Sequence, residues 1–273
     1  VTVLTIDSAT KLPLEAQGAV VVTGSHGAIY AAYLSARAGV RAAVHHDAGI
    51  GLDEAGVGGL GYAEKLGLAM AAIATESARI GDANDLLGRG RISRANAQAL
   101  ACGVAIGMSC REAVERLKHA PWPHQPLPPQ AEGRYEIDNI LCLDSASMLG
   151  PNDRDRVAAT GSHGASIAGT TTAPMRPRLI LFNDAGPGIE RAGIQGLDVL
   201  EQAGIAAIAV AARSARIGDG RSTLQDGTIS AVNRPASLLG ARVDEPALAL
   251  ARRVAEKAYE LRGETFGTWP SST

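Results

Sequence analysis

The sequence predicts an α/β protein built from two tandemly duplicated βαβ-type subdomains, each with a mostly parallel sheet, the two related by a pseudo-twofold. Three observations predict it. Thr23-Gly24-Ser25-His26-Gly27-Ala28 returns as Thr160-Gly161-Ser162-His163-Gly164-Ala165, and Ser77-Ala78-Arg79-Ile80-Gly81-Asp82 returns as Ser214-Ala215-Arg216-Ile217-Gly218-Asp219. Both blocks keep one offset of 137 residues, as do Asp7-Ser8-Ala9 with Asp144-Ser145-Ala146 and Asp47-Ala48-Gly49 with Asp184-Ala185-Gly186. Repetition at a fixed spacing without insertions marks repeated structural units. Between these blocks, short apolar runs rich in β-branched residues alternate with helical stretches, the pattern of βαβ units around a parallel sheet.

The division follows: a first repeat over 1–119, a Pro-rich linker over 120–137 and a second repeat over 138–273. In the first repeat, strands are expected over 3–7, 19–23, 41–46 and 68–75, and helices over 28–38, 54–66 and 108–118. In the second, strands are expected over 140–144, 156–160, 178–183 and 206–212, and helices over 191–202 and 246–261. Pro246 suits a helix start, where its missing N–H costs nothing. Thr170, Thr171, Thr172, Pro174 and Pro177 weaken the counterpart of the first helix over 166–177. In the linker, Pro121, Pro123, Pro126, Pro128 and Pro129 impose an extended, semi-rigid path, and Trp122 and Tyr135 are expected to pin it to the body.

Composition narrows the function. Hydrophobic residues are 46% and charged residues 20% of the chain, enough apolar content for a packed core. Aromatics are only 3% and the formal charge is −2 with basic residues scattered, so neither base stacking nor a polyanion footprint is expected, and nucleic acid is excluded as a partner. The longest apolar runs, such as 205–212, fall well short of the roughly 20 residues of a membrane-spanning helix. No basic, then apolar, leader opens the sequence, so a cytoplasmic location is the expectation. Cys102, Cys110 and Cys142 are odd in number and lack a Cys-x-x-Cys pattern, which fits reduced core thiols. Ala- and Gly-rich surfaces make a homo-oligomer the expected assembly.

The chemistry-bearing residues sit in the repeated blocks. Gly24, Ser25, His26 and Gly27, with Gly161, Ser162, His163 and Gly164, each follow a strand and precede a helical run, at the sheet edge where ligands of parallel sheets bind. Such a turn can hold a carboxylate, phosphate or oxyanion on backbone N–H groups. Ser25 and His26 are neighbours whose side chains diverge, so a nucleophile pair is expected across the repeats, Ser25 with His163 or His26 with Ser162. Asp47 and Asp184 either orient a histidine or cap the segment that follows. Ser77, Arg79 and Asp82, with Ser214, Arg216 and Asp219, either grip a substrate carboxylate and its hydroxyl or amide groups, or form internal ion pairs. Ser93 and Asn96, like Ser230 and Asn233, fit helix caps.

Where the repeats differ, His45-His46-Asp47 faces Phe182-Asn183-Asp184, and Glu76 faces Arg213. A divalent metal on His45, His46 and Asp47 is the alternative to a site without cofactor, but adjacent strand residues point to opposite faces and His26 or Asp82 would have to join. No metal is assigned. No Gly-x-x-x-x-Gly-Lys-Ser/Thr loop and no Gly-x-Ser-x-Gly elbow occurs. The expected activity is hydrolysis of a small carboxylate-bearing or cyclic amide-like metabolite by Ser, His and Asp in a cleft between the repeats. A cofactor-independent lyase or isomerase using the same base and anion clamp, or a small-anion-binding protein, are the alternatives.

Overall fold

The structure, a computed structural model, describes residues 1–260. Its first sheet has five strands in the order β1 (Val3–Ile6), β2 (Val20–His26), β3 (Ala42–His46), β4 (Ala69–Ile73) and β5 (Ile92–Ala95). Only β5, antiparallel to β4, departs from parallel pairing. Helices α1 (Ile29–Arg37), α2 (Gly59–Lys65), α3 (Ala83–Arg89), α4 (Ala97–Ala101) and α5 (Cys110–Leu117) surround it. The second sheet has six strands: β6 (Arg134–Ile137), β7 (Ile140–Leu143), β8 (Val157–His163), β9 (Leu179–Asn183), β10 (Ala206–Val210) and β11 (Ile229–Val232), spatially in that sequence. Its outer pairs β6/β7 and β10/β11 are antiparallel and the inner pairs parallel. Its helices are α6 (Ser166–Thr172), α7 (Gly196–Gln202), α8 (Gly220–Gln225), α9 (Arg234–Leu238) and α10 (Ala247–Glu260). The protein is thus α/β with two mixed, mostly parallel sheets. No helix among the described residues is long and apolar enough to cross a membrane.

The strands are continuous apolar runs because helices cover both of their faces. Val20, Val22 and Val44 pack with Leu86 of α3 and Leu117 of α5, while Val21, Ala43 and Met70 pack with Ala32 of α1 and Ala63 of α2. The second sheet repeats the scheme. Leu179, Leu181 and Ile208 meet Leu224 of α8 and Leu250 of α10, whereas Ile180, Phe182 and Ala207 meet Ala168 of α6 and Leu197 of α7.

All eight expected strands occur, with shifts of one to three residues at their ends. The first helix is present, and the weakened segment over 166–177 forms α6 followed by a 3-10 turn at Ala173–Met175. The expected helix over 54–66 begins late, at Gly59, because Asp53 and Glu54 adopt positive φ. The same conformation at Glu190 and Arg191 delays α7 to Gly196. The last helix runs to Glu260; Leu261 lies outside the described residues. Within the stretch expected as linker, Arg134–Ile137 form β6, paired with β7. Trp122 packs over Gly18 and the Arg41 guanidinium, and Tyr135 lies 4.2 Å from the Arg221 guanidinium, so both aromatics anchor the connection by cation–π contact.

The two halves are joined backbone to backbone. Leu52 N–H donates to Ala212 C=O at 2.8 Å, and Ile189 N–H donates to Thr75 C=O at 2.9 Å; each partner of one bond lies 137 residues from a partner of the other. Between these bonds Gly49 and Gly186 touch. Each has positive φ, and a Cβ on Gly186 would stand 2.9 Å from the Gly49 Cα. We expect Gly186→Ala to cost about 2–4 kcal/mol in urea unfolding, from left-handed strain plus this clash. Gly61→Ala, which meets nothing within 4 Å inside α2, should instead be neutral or stabilising. Equal effects at the two sites would refute a tight seam.

Candidate functional site

The carboxyl ends of β2 and β8 bring the Gly-Ser-His-Gly blocks together. In both strands Ser and His still belong to the strand, and the pairing with the neighbouring strand slips just before the histidine, a bulge that redirects the side chain. Gly24 and Gly161 are required there. A Cβ on Gly24 would lie 2.7 Å from the Asp7 carbonyl oxygen and 2.8 Å from the Gly81 backbone, and Gly161 is equally confined by Asp144 and Gly218. Gly81 N–H donates to Gly24 C=O at 2.9 Å, and Gly218 N–H to Gly161 C=O at 2.7 Å. The repeated blocks therefore lock one another at the sheet edge.

His26 and His163 meet across the halves with ring centroids 6.4 Å apart, edge to face. Each Nδ1 accepts the backbone N–H two residues on, Ala28 to His26 at 3.4 Å and Ala165 to His163 at 3.3 Å. Nδ1 is thereby the unprotonated nitrogen and Nε2 carries the hydrogen. Neither Nε2 has a protein partner among the described residues, and neither is among the sealed, unpartnered atoms, so both open to the cleft. Burial, then the nearby His46, lowers the His26 pKa to about 4; burial, then His26 and His46, lowers that of His163 to about 3. At neutral pH both rings are uncharged N–H donors.

The serines face the same place but are not paired with the histidines. Ser25 Oγ accepts Ala9 N–H at 2.9 Å and Ser162 Oγ accepts Ala146 N–H at 2.9 Å. No hydrogen bond joins Ser25 to His163 or His26 to Ser162 among the described residues. A cleft of about 430 Å³ opens on this group, lined by Ser25, Ser162, both histidines and, on one wall, Ile29, Tyr30 and Leu34 of α1. Ser8, Ser145, Asp144 and Glu132 also line it.

Glu132 is the cleft's poised group. Burial, then the Asp144 carboxylate, raises its pKa to about 7, partly offset by a hydrogen bond from Ser145 and by Arg37. The Tyr30 phenol, which lines the cleft as Glu132 does, has its pKa raised by burial and then by Glu132. Asp144 itself is held by Gly133 N–H at 2.6 Å and Gly220 N–H at 3.2 Å, and burial raises its pKa.

The remaining expected residues have structural partners. Asp47 Oδ1 accepts Gly49 N–H and Thr75 N–H, and Asp184 Oδ1 accepts Gly186 N–H and Ala212 N–H; neither carboxylate bonds a histidine. Ser77 and Ser214 bridge the Ala74 and Ala211 carbonyls to Arg91 N–H and Thr228 N–H. Asp82 and Asp219 cap α3 and α8. Arg79 is spent on Asp82, Asp85 and, across the seam, Glu190; Arg216 is spent on Asp53 across the seam and on Asp226. Of this group only Arg216 and Asp219 reach the cleft. Gly27 and Gly164 pack against the Gly56 and Gly193 carbonyls and are not among the residues lining this cleft. Asn96 and Asn233 cap α4 and α9.

The histidines beside Asp47 do not converge. His46 Nδ1 accepts Ala48 N–H at 2.9 Å and its Nε2 donates to Ala78 C=O at 3.1 Å. Asn183 makes the same two bonds, from Ala185 N–H and to Ala215 C=O. His45 points the other way, to Ser35 Oγ at 3.0 Å. In the second half Thr172 and Phe182 replace this pair, and Thr172 Oγ1 is left without a partner. No group of three or more His, Cys, Asp or Glu able to hold a metal occurs among the described residues. We expect His46→Asn to change stability by less than about 1 kcal/mol at pH 7. His46→Ala should cost about 2–4 kcal/mol by orphaning two buried backbone groups, a contrast that chemical denaturation resolves.

Sequence reasoning missed Glu132, Tyr30, Ser8 and Ser145. The serines lie in the repeated Asp-Ser-Ala blocks, so the repetition carried their signal. Glu132 lies in the Pro-rich connection, outside the repeated blocks. Comparison with protein-family models, with curated proteins and with solved structures finds no match.

Proposed function

We propose that this cleft is the active site of an enzyme that performs general acid–base chemistry on a small carboxylate-bearing or cyclic amide-like metabolite, hydrolysis being the first reading. The reading takes the two halves as products of duplication related by a pseudo-twofold, which the exchanged Leu52–Ala212 and Ile189–Thr75 bonds support. The observation that carries it is that one cleft is lined by Glu132, whose carboxyl pKa burial and Asp144 raise to about 7, and by two uncharged imidazole N–H donors.

In this proposal Glu132 takes a proton from water, and the water oxygen forms the new bond to the carbonyl carbon. The Nε2–H groups of His26 and His163 hold the oxygen on which negative charge develops. Glu132 then returns the proton to the leaving nitrogen or oxygen as its bond to the carbonyl carbon breaks and the carbonyl re-forms. Ser25 and Ser162, each already accepting a backbone N–H, have their hydroxyl hydrogens free to place the water. Serine as nucleophile finds no support, because each imidazole keeps its proton on the nitrogen that faces the cleft and has no lone pair there. Asp47, Asp184 and Arg79 act at one remove, holding the loops and the seam, while Arg216 lines the cleft paired with Asp53.

The unpaired serines favour one second reading, a lyase or isomerase in which Glu132 removes a proton from carbon and the imidazoles hold an enolate. Substrate turnover in ¹⁸O-labelled water, in parallel with deuterated water, separates the two. Label in the acyl product supports hydrolysis, whereas deuterium at carbon without ¹⁸O supports proton abstraction. Ser25→Ala with Ser162→Ala should retain activity within about tenfold; loss by several orders of magnitude would restore a serine nucleophile.

A further inference from the structure

The two sides of the histidine pair are unequal. On one side α1 presents Ile29, Tyr30 and Leu34 to the space of about 430 Å³; on the other, α6 offers Ser166, Ile167 and Thr171 at the equivalent positions, and the space shrinks to about 80 Å³ with Ile167 and Thr171 on its wall. The larger volume suits a small ligand, for which pockets of about 300–1,000 Å³ are usual. Ile29 is 46% exposed there, an apolar side chain left uncovered at the mouth of a polar seam.

Charge argues in the same direction. Asp53, Glu132, Asp144 and Asp219 line the cleft against one guanidinium, Arg216, which Asp53 already engages at 2.6 Å. An added carboxylate would meet four carboxylates on the lining and, among the lining residues, no cation that is not already paired. A cationic head fares no better at the floor, because the imidazoles offer hydrogens and need an acceptor.

Resting on the acid–base reading above, we infer that the cleft takes an uncharged carbonyl compound with an apolar body, an amide, imide or ester. Its oxygen accepts from the imidazole pair and its body lies along Ile29, Tyr30 and Leu34 of α1. This narrows the expected substrates to the amide-like class and removes the carboxylate-bearing one.

Three isosteres test it: benzamide, benzoate and benzamidine, titrated at pH 8 into protein carrying ¹³C-labelled histidine, with the Cε1–H signals of His26 and His163 read by NMR. Benzamide should shift both signals and bind at least about tenfold more tightly than either charged isostere. Leu34→Thr, which copies the other side, should weaken benzamide about tenfold through lost apolar contact. Glu132→Gln should strengthen benzoate and leave benzamide nearly unchanged. Benzoate or benzamidine binding as well as benzamide, no shift with any probe, or indifference to Leu34→Thr would each overturn the inference. Failure of the catalytic reading looks different: benzamide would bind as expected, yet Glu132→Gln would leave turnover of an amide or ester substrate intact.

Discussion

Acidification from pH 7 to pH 5 should lower the Tm of this protein by about 10 °C or more, in a range where ordinary surface carboxylates are still mostly ionised. Four histidines are held uncharged, three of them buried and His26 half-buried at the cleft: desolvation lowers the pKa of His26 and His46 to about 4 and that of His45 and His163 to about 3. In the unfolded chain each titrates near 6.5. Below that value the unfolded state binds protons that the folded state refuses, so stability falls as pH falls, by about 1.4 kcal/mol per pH unit for each group. The loss begins near pH 6.5 and levels off only below the folded values. Glu132 works in the opposite sense, since its raised pKa favours the folded state below about 4.5 and withdraws that support as pH rises through about 7. One carboxyl against four imidazoles leaves a net loss of several kcal/mol by pH 5, a large share of the about 5–15 kcal/mol that holds a domain together. Urea titrations between pH 4.5 and 7.5 at constant ionic strength measure the proton uptake. His46→Asn should reduce it by one proton. A stability that stays level from pH 7 to pH 5 would mean the imidazoles are charged or solvated.

Glu132→Gln should lower kcat by about 10²–10⁴-fold with KM little changed, because the amide keeps the shape of the carboxyl and cannot carry a proton. The wild-type rate should rise with pH through an apparent pKa near 7, and the variant should lose that limb. Asp144→Asn makes the cause visible. Removing the neighbouring negative charge lowers the Glu132 pKa, so the limb should move to lower pH while the maximum rate changes less. A limb that stays in place in Asp144→Asn would assign the titration to another group. A rate unaffected by Glu132→Gln would remove the acid–base proposal altogether.

Much of this architecture was legible because the core strands are long enough to repeat as apolar runs and the polar blocks recur at one spacing. The strands that escaped notice, Ile92–Ala95, Ile229–Val232 and Arg134–Ile137, are edge strands of only four residues, each interrupted by Ser, Arg or Glu and too short to stand out as an apolar run. Helices α3 and α8 were hidden for a related reason: six or seven residues cannot display an amphipathic period, and their clearest mark, the capping Asp82 or Asp219, reads equally as a ligand-binding carboxylate. The convergence of the Ser-His blocks was expected from the repeat and is seen in the His26–His163 contact. The role of the histidines was not legible. Which nitrogen bears the hydrogen depends on a backbone N–H two residues away, and the shift toward neutrality depends on burial by the opposite half. Glu132 could not be found from its local sequence, since its ionisation is set first by burial in the fold and then by Asp144 twelve residues on.

The most direct test is ¹⁵N NMR of the imidazole rings of His26 and His163 between pH 7.5 and pH 5. Uncharged rings with hydrogen on Nε2 and a lone pair on Nδ1 throughout that range are the predicted result. Hydrogen on Nδ1, or protonation of either ring with a midpoint near 6.5, would contradict it and make these histidines bases instead of donors.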